Sequence, residues 1–422
     1  MNRCDTDVLV IGAGPAGASL AIRLAHAGWR VAVIEQARYP RQKVCGECLS
    51  PASLLRLDEL GIADRLREHA SPEIRRVAWM TRKQTAIADM PACRSGPYPY
   101  GRAIGRDLLD ALLLERAREL GVRIIQPARA RRVCGMPGEF VCEYRCRSVA
   151  DGQRLLASEG RLAVSIVVDA HGSWERELAA DTRAQQGSSV PGARGADLVA
   201  FKATFSGAAL PRGLLPVLSL PGGYGGMVVS DRGRTTVACC IRRDVLHEWR
   251  LRAPQSSAGA AVEEFLRSSC RGLAKALSGA RREEPWHSIG PLRPGFHARN
   301  ALGVFSVGNA AAEAHPLIGE GICMALESAA LLATLLGSRP SQLDERALAG
   351  LHEAYIRAAH AAFARRLWFA HAYSRLAMHQ PIAAVIALLF RSWPQTLTFA
   401  AHLAGKARSG ATSRVAGALP AS

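Results

Sequence analysis

The sequence is poor in lysine, since only Lys43, Lys83, Lys202, Lys275 and Lys406 contribute to its 54 basic residues. With 36 acidic residues, the formal net charge is +18. An arginine excess of this kind, in a chain rich in alanine and glycine, is typical of a GC-rich genome. No nucleic-acid-binding motif accompanies it, so no nucleic-acid partner is expected. The sequence also lacks a run of about 18 uncharged apolar residues, which argues against a membrane-spanning helix.

The eleven cysteines follow no regular spacing. Cys45 and Cys48 form a C-x-x-C motif, but there is no second pair of ligands, and a metal site is not expected. Two readings stay open for this loop, namely a redox disulfide or a turn whose Gly46 lets the backbone lie against a flat ligand. With no export signal before the first apolar run, we expect free thiols and a cytoplasmic location.

A glycine motif near the start organises the sequence. Residues 8–11 are apolar and largely β-branched, as in a strand buried on both faces. Gly12, Gly14 and Gly17 follow at G-x-G-x-x-G spacing, and a helical pattern then runs to Gly28. We expect the first glycine to permit a tight turn, the second to admit a pyrophosphate, and the third to let the helix pack closely on the strand.

The helix that begins at Pro15 and Ala16 directs its N-terminus toward the expected phosphates. A second apolar strand, residues 31–34, ends at Glu35, about 20 residues downstream, where an acid binds a ribose. This strand–turn–helix–strand–acid order predicts a dinucleotide site. It does not by itself distinguish FAD from NAD(P).

Apolar periodicity and turn residues predict the later elements. Helices are expected at 51–60, with Ser50 as N-cap, at 258–268 and 270–278, and within 102–121, where Arg106 lies just before the helix and Gly121 ends it. The predicted strands are 74–81, 85–88, 122–125, 130–134, 140–147, 153–156, 162–168, 198–205, 214–220, 224–230 and 235–241. Those between 128 and 168 are expected to form a meander that covers the first sheet.

A second turn of the same kind follows another buried strand, at 299–308. After Gly308 and Asn309, a loop with Pro316, Gly319 and Gly321 leads into an apolar helix. A second helix N-terminus on the chain favours a flavin, because the N1–C2=O edge of a flavin becomes negative on reduction. A helix N-terminus stabilises such a charge by roughly 0.3–2 kcal/mol.

Over about residues 5–335 the sequence resembles the FAD-dependent family that joins aromatic-hydroxylase-type monooxygenases, flavin halogenases and geranylgeranyl-reductase-like enzymes. The resemblance rests on both glycine motifs, Glu35, Arg106 before a helix, and the loop at 43–50. It implies that Glu35 holds the adenosine ribose, Arg106 the pyrophosphate, and Asn309 the ribityl or pyrophosphate region. Further cofactor contacts are expected from Gly12, Gly14, Pro15, Ala16, Gly17, Lys43, Gly308, Gly319, Gly321 and Ile322. Cys45, Gly46 and Pro316 are expected to face the flavin.

The sequence departs from the family pattern at three places. Asn309 stands where the family has Asp. Ala170-His171-Gly172 replaces a motif linked to nicotinamide access, so the electron donor is expected to be either NAD(P)H or a separate flavin reductase. The W-x-W-x-I-P box of the halogenases is absent, which disfavours halogenation. From the residues alone, Arg106 could also be a solvated arginine rather than a phosphate ligand.

No acidic residue follows Glu353, whereas eight basic and several large aromatic residues do. Two interpretations stay open for this region: helices that pack on the core with arginines in water, or a basic amphipathic surface that meets anionic lipid or an acidic carrier protein. The second would place the chain at the inner face of a membrane, with a lipophilic or carrier-bound small-molecule substrate.

The sequence therefore predicts an α/β fold with a Rossmann-like, three-layer FAD-binding domain from 1–75, 101–174 and 296–340. A β-sheet substrate domain is expected from 76–100 and 175–295, and C-terminal helices from 341–422. The expected activity is that of an FAD-dependent oxidoreductase. The favoured reaction is hydroxylation of an aromatic or polyketide-like ring through a flavin C4a-peroxide. A dehydrogenase or double-bond reductase of the geranylgeranyl-reductase-like type is the alternative, and a halogenase is less favoured.

Overall fold

The computed structural model describes residues 6–146, 158–173, 179–180, 196–252, 257–298, 303–338 and 345–408. Within them the strands, numbered along the chain, are β1 (Val8–Ile11), β2 (Val31–Ile34), β3 (Cys48–Leu49), β4 (Arg76–Met80), β5 (Thr85–Asp89), β6 (Arg102–Ala103), β7 (Arg123–Ile125), β8 (Ala128–Met136), β9 (Glu139–Cys146), β10 (Glu159–Val164), β11 (Ile166–Asp169), β12 (Ala179–Ala180), β13 (Leu198–Ser206), β14 (Leu214–Leu220), β15 (Gly223–Val229), β16 (Thr235–Arg242), β17 (Arg281–Arg282), β18 (His287–Ile289), β19 (Gly295–Phe296), β20 (Val304–Ser306) and β21 (Ala312–Glu313).

The helices of the same residues are α1 (Pro15–His26), α2 (Pro51–Asp58), α3 (Ala63–His69), α4 (Arg106–Glu119), α5 (Arg243–Arg252), α6 (Ala258–Ser269), α7 (Arg271–Ala276), α8 (Gly321–Leu336), α9 (Glu345–Met378), α10 (Gln380–Ser392) and α11 (Pro394–Leu403). Single 3₁₀ turns occur at Asp231–Gly233, Gly308–Ala310 and Pro316–Ile318.

A parallel sheet with strand order β20-β11-β1-β2-β7 forms the centre of the first region. Its central strands β1 and β2 are buried on both faces, which explains their unbroken apolar sequences. Along β1, Val8 and Val10 join the core formed with the helices. Leu9 and Ile11 join a separate core beneath the sheet β10-β9-β8-β12. Helices, parallel sheet and antiparallel sheet therefore form three layers, and the predicted α/β fold is confirmed.

A larger sheet has the order β17-β13-β16-β15-β14-β4-β5, with β18 added beside β13. Its strands pair antiparallel except β14 and β4, which run parallel. Alternate side chains again serve two cores. Phe201 and Phe205 of β13 pack on the side of α6 and α7, whereas Trp79 of β4 and Tyr224 of β15 pack on the side of α10 and α11.

Three details differ from the sequence predictions. The apolar run 162–168, predicted as one strand, belongs to two: β10 in the antiparallel sheet and β11 in the parallel sheet, with Ser165 between them. Arg106, predicted to lie just before a helix, is the first residue of α4, and Arg102 and Ala103 pair with β3. Helix α5 was not predicted, and it has no buried residue to produce an apolar pattern. The strand predicted at 153–156 lies outside the described residues.

The C-terminal helices extend the core of the first region. Tyr355 and Phe363 of α9 are buried in it, and the Tyr355 hydroxyl donates to the Ser306 carbonyl oxygen at 2.6 Å. In the described residues, no single helix is both long and apolar enough to cross a bilayer. Helices α9 and α10 reach that length and hydropathy together, but they meet at an angle of 97°.

Candidate functional site

The three glycines of the first turn have different environments. Gly12 has φ +104°, and a Cβ there would lie 2.5 Å from the carbonyl oxygen of Ala170. A Cβ on Gly17 would lie 1.9 Å from the carbonyl oxygen of Gly12, so α1 packs against the turn itself. Above Gly14 the nearest atoms are guanidinium nitrogens at 3.8 and 3.9 Å. Gly12 and Gly17 are therefore required by the fold, whereas Gly14 leaves room for a ligand.

The two guanidinium groups above Gly14 belong to Arg41 and Arg106. Arg106 is buried, and its Nε and Nη2 donate to the two carboxylate oxygens of Asp110, each at 2.8 Å. Arg41 Nη2 lies 3.7 Å from the same carboxylate. Arginine is suited to bidentate contacts with phosphate. This pair, aimed at the N-terminus of α1, forms a site for an anion, and Arg106 is not a solvated side chain.

Glu35 is buried at the end of β2. Its carboxylate accepts from the backbone N–H of Ala13 and of Ala37, both at 2.8 Å, and from Arg41 at 3.2 Å. These contacts fix its orientation at the edge of the cavity. The role predicted for Glu35 at a ribose stays a prediction.

The loop at 43–48 lies across the cavity from the first turn. Cys45 and Cys48 are both free thiols in this structure, and the redox reading of the C-x-x-C motif stays a prediction. A Cβ on Gly46 would meet no atom within 4 Å, so the backbone there faces open space. Burial, together with the charges of Arg41 and Arg106, lowers the pKa of Lys43.

Glu47 anchors this loop to the larger sheet. It is buried with φ +59°, and its carboxylate forms an ion pair with the buried Lys202 of β13. It also accepts from Thr236 of β16 at 2.5 Å and from the backbone N–H of Arg106 at 3.1 Å. One side chain therefore joins the loop, the larger sheet and the start of α4.

The second turn carries a buried carboxyl group. Asn309 Nδ2 donates to Ser173 Oγ at 2.9 Å. Glu313 lies near them and is only 4% exposed. Burial raises its pKa to about 7, and contacts with Ser173 and Arg293 act in the opposite direction. A carboxyl group with a pKa near neutrality can hold or release a proton.

The N-terminus of α8 closes the second turn. Gly319 has φ +61°, and a Cβ there would lie 3.0 Å from Lys406 Nζ, beyond the end of α11. Glu320 beside it is buried, and burial raises its pKa while Lys406 opposes the shift. No atom lies within 4 Å of a Cβ placed on Gly321. The first turn of this 16-residue helix therefore faces the cavity with little to fill it.

The same cavity continues along an apolar wall of the larger sheet. This wall consists of Ala200, Ala238, Cys240, Ile289 and Leu292. On the same face of the sheet, the hydroxyl of Tyr224 lies 3.2 Å from His315 Nδ1, and His315 Nε2 lies 3.3 Å from Nδ1 of the exposed His371. Burial, with a smaller effect of His371, lowers the pKa of His315 to about 4. His315 is therefore neutral at physiological pH.

One cavity brings together every predicted site residue except Gly17, which supports the turn from behind. Sequence reasoning missed Arg41, Glu47 and Glu313. Arg41 could have been suspected from the basic loop after β2. No local sequence pattern identifies Glu47 or Glu313, because their roles depend on partners that are distant in the chain. The open glycines, the paired arginines and the two helix N-termini all fit FAD.

The fold and this cavity define the class of protein, that of the FAD-binding flavoproteins. Residues 5–135 match the sequence model of the FAD binding domain family, and the rest of the chain is similar in fold to flavin-dependent halogenases.

Similar curated proteins support that assignment. The chain is 34% identical to a menaquinone reductase of Mycobacterium tuberculosis over 158 residues, which is 35% of this chain and 38% of that protein. It is 28% identical to the menaquinone reductase of Mycolicibacterium smegmatis over 352 residues, covering 79% of this chain and 76% of the relative. It is 35% identical to squalene epoxidase 4 of Arabidopsis thaliana over 114 residues, 27% of this chain and 22% of that enzyme.

Solved structures show the same fold over nearly the whole chain. The myxobacterial chondrochloren halogenase CndH superposes with a TM-score of 0.68 at 20% identity, covering 96% of this chain and 90% of the halogenase. PqsL of Pseudomonas aeruginosa, crystallised with 2-aminobenzoylacetate, gives a TM-score of 0.62 at 20% identity, covering 90% of this chain and 99% of PqsL.

Proposed function

We propose that the chain is an FAD-dependent monooxygenase that hydroxylates an apolar aromatic or polyketide-like ring with molecular oxygen. One oxygen atom enters the substrate and the other leaves as water. The observation that carries this proposal is the continuity of the cavity, since the open turns at Gly14 and Gly321 share it with the apolar wall formed by β13, β16 and β18. A ring seated on that wall lies beside the group held by the two turns.

The chain's own residues give this cavity the properties that oxygen transfer requires. Ala200, Ile289 and Leu292 provide an apolar surface that excludes water, which protects reactive species from hydrolysis. Lys202 and Glu47 compensate each other's charge, so the wall presents no isolated buried ion.

Glu313 is the side chain best placed to hold a proton in the cavity. It lines the cavity, and its raised pKa keeps it partly protonated at pH 7. It can therefore donate a proton to a departing oxygen or accept one from a substrate hydroxyl. When bound, FAD supplies the electron transfer and oxygen activation, while the protein supplies binding and orientation.

The decisive experiment uses the FAD-loaded full chain with a chemically supplied reductant and a panel of hydrophobic phenols and polyketide-like rings. The proposal expects product only in the presence of oxygen, with one ¹⁸O atom incorporated from ¹⁸O₂. Turnover at an equal rate under nitrogen, or product without ¹⁸O, contradicts it.

A reductase acting on a quinone or a conjugated double bond is the second candidate. It is favoured by the similarity to a menaquinone reductase over most of the chain and by Cys45 and Gly46, which line the cavity. The nitrogen arm of the same experiment distinguishes the two, because a reductase oxidises its reduced flavin with substrate alone. Cys45→Ala tests the thiol: unchanged anaerobic turnover would remove it from the reductase reaction, and unchanged aerobic turnover would remove it from the oxygenation.

The electron donor is either NAD(P)H or a separate flavin reductase. Asp169 ends β11 and contacts His171 at the place where the sequence departs from the family motif. Anaerobic titration of the purified flavoprotein with NADH and NADPH measures this directly, through bleaching of the flavin absorbance. Slow bleaching by both compounds would favour a partner reductase.

A further inference from the structure

Helices α10 and α11 and the preceding part of α9 expose a group of large apolar side chains, called here the C-terminal apolar face. It comprises Trp368 and Leu376 of α9, Ile382, Val385, Leu388 and Leu389 of α10, and Trp393, Phe399 and Leu403 at and within α11, exposed by 39% to 73%. Soluble surfaces carry such residues singly, whereas a contiguous group marks an interaction surface.

Helix α10 is apolar on the side that faces the protein as well. Ala383, Ala387 and Phe390 are buried against the larger sheet, and the Phe390 ring packs edge-on against Trp79 at a centroid distance of 5.8 Å. Among its thirteen residues the charged one is Arg391. A helix with apolar residues on all sides is normally enclosed by protein or lipid, yet none of the described residues covers the outer side of α10.

Positive charge surrounds this face. Arg365, Arg375, Arg391 and Arg408 are exposed on or beside the three helices. The sequence has no aspartate or glutamate after Glu353 to offset them. An apolar surface with interfacial tryptophans and a basic margin has the chemistry that an anionic membrane surface attracts.

We propose that the C-terminal apolar face docks on an anionic lipid surface, with α10 and α11 lying in its plane. A second copy of the chain fits this face less well. In a two-fold symmetric contact the same patch meets itself, so its arginines would face one another without acids from the same segment. The 97° angle between α9 and α10 also favours helices that lie on the bilayer over helices that cross it.

Point variants test the proposal better than a deletion. Removing everything after residue 353 would take away Tyr355 and Phe363, which are buried in the core. Val385→Glu combined with Leu388→Glu instead places two carboxylates on the exposed side of α10. Met136→Glu on β8 is the matched control, because Met136 is as exposed as Val385, at 67%.

The FAD-loaded full chain is floated with vesicles of phosphatidylcholine alone and of phosphatidylcholine mixed with phosphatidylglycerol. We expect flotation with the mixed vesicles, weakened by high salt, and at least a tenfold loss for the Val385/Leu388 variant but not for the Met136 variant. Arg375→Gln with Arg391→Gln should weaken partitioning by roughly 30-fold. FAD content and thermal midpoint, measured in parallel, verify that each variant is folded.

Two results would overturn the proposal. One is equal flotation of the parent chain and the Val385/Leu388 variant. The other is a parent chain that ignores both vesicles and sediments as a dimer that this double substitution converts to a monomer, because the face then belongs to a second copy. Neither result depends on which oxidation or reduction the cavity performs, so this proposal and the proposed function can fail separately.

Discussion

Arg106 and Asp110 face each other one turn apart on α4, joined by two parallel hydrogen bonds of 2.8 Å. The pairing leaves Arg106 Nη2 close to Gly14, at the N-terminus of α1. Asp110 is fully buried, and Arg41 is its second cationic neighbour. The carboxylate therefore orients Arg106 beside Gly14 and offsets part of the positive charge there.

Asp110→Asn should weaken FAD binding without removing the arginine. The amide keeps the shape but loses the charge and one acceptor, so Arg106 is held less firmly and we expect an affinity loss of about tenfold. Arg106→Gln should cost more, and Arg106→Lys should not restore binding, because an ammonium cannot reproduce the bidentate pair. Flavin fluorescence titration of the apoprotein measures all three. Equal affinity for Asp110→Asn and the parent chain would contradict the role given to this pair.

Replacing Gly14 by alanine should weaken FAD binding, whereas replacing Gly17 by alanine should lower the stability of the fold. Gly14 has φ −67° and no protein atom within 3.8 Å of its would-be Cβ, so Gly14→Ala should leave apoprotein stability within about 0.5 kcal/mol and reduce FAD affinity at least tenfold. Gly17→Ala drives a methyl group into the Gly12 carbonyl and should destabilise the apoprotein by about 1–3 kcal/mol. Urea unfolding of both apoproteins, followed by FAD titration, checks the contrast, and equal unfolding midpoints would refute it.

Breaking the buried pair between Lys202 and Glu47 should be costly. Lys202→Met leaves the Glu47 carboxylate without its cation, and the expected loss is about 3–5 kcal/mol. Adding Glu47→Gln should recover part of this loss, because the remaining groups are then uncharged. Chemical unfolding of the two variants and the parent chain gives the comparison. A double variant less stable than Lys202→Met would show that the pair does not act as a unit.

Because the pKa of Glu313 is raised in the folded chain, its contribution to the free energy of unfolding should fall as pH rises. Burial raises its folded-state pKa from 4.5 to about 7, so the folded chain binds a proton that the unfolded chain has released. The contribution of Glu313 to the free energy of unfolding of the apoprotein should therefore decrease between pH 4.5 and 7, on the order of 3 kcal/mol in total. Glu313→Gln should abolish this slope. An unchanged pH profile in that variant would assign the slope to another group.

The contribution of His315 to the free energy of unfolding should rise with pH, in a pH range that overlaps the range of Glu313. Burial lowers its folded-state pKa from 6.5 to about 4, so the unfolded chain takes up a proton that the folded chain excludes. Stability should then be lost as pH falls from 6.5 toward 4. His315→Gln should remove that loss, so the remaining pH dependence of this variant should be the contribution of Glu313. The measurement is apoprotein unfolding across this pH range, with Met136→Glu as a control that should keep the parent profile.

The parts of the site that depend on short-range sequence patterns could be predicted from the sequence. The first strand, turn and helix were predicted because each depends on neighbours within a few residues: apolar β-branched residues, glycines that permit the turn, and helical spacing. Ser50 was predicted as an N-cap for the same reason, and its hydroxyl accepts from the Ser53 backbone N–H at 3.4 Å.

The boundary between β10 and β11 was missed because it exists only in three dimensions. Residues 162–168 read as one apolar run, and what changes at Ser165 is the partner sheet rather than the residue type. Arg41, Glu47 and Glu313 were missed on similar grounds. Glu47 owes its importance to Lys202, 155 residues away in the chain, and no short-range pattern announces such a partner.

Lys406 also has a consequence for how the protein acquires its cofactor. Its ammonium group lies beside Gly319 and Glu320, in a turn made almost ninety residues earlier in the chain. During synthesis this turn lacks part of its surroundings until α11 and Lys406 have emerged from the ribosome. Tight FAD capture should therefore wait until the chain has been made at least as far as Lys406, long after the glycine turn before α1 has been synthesised.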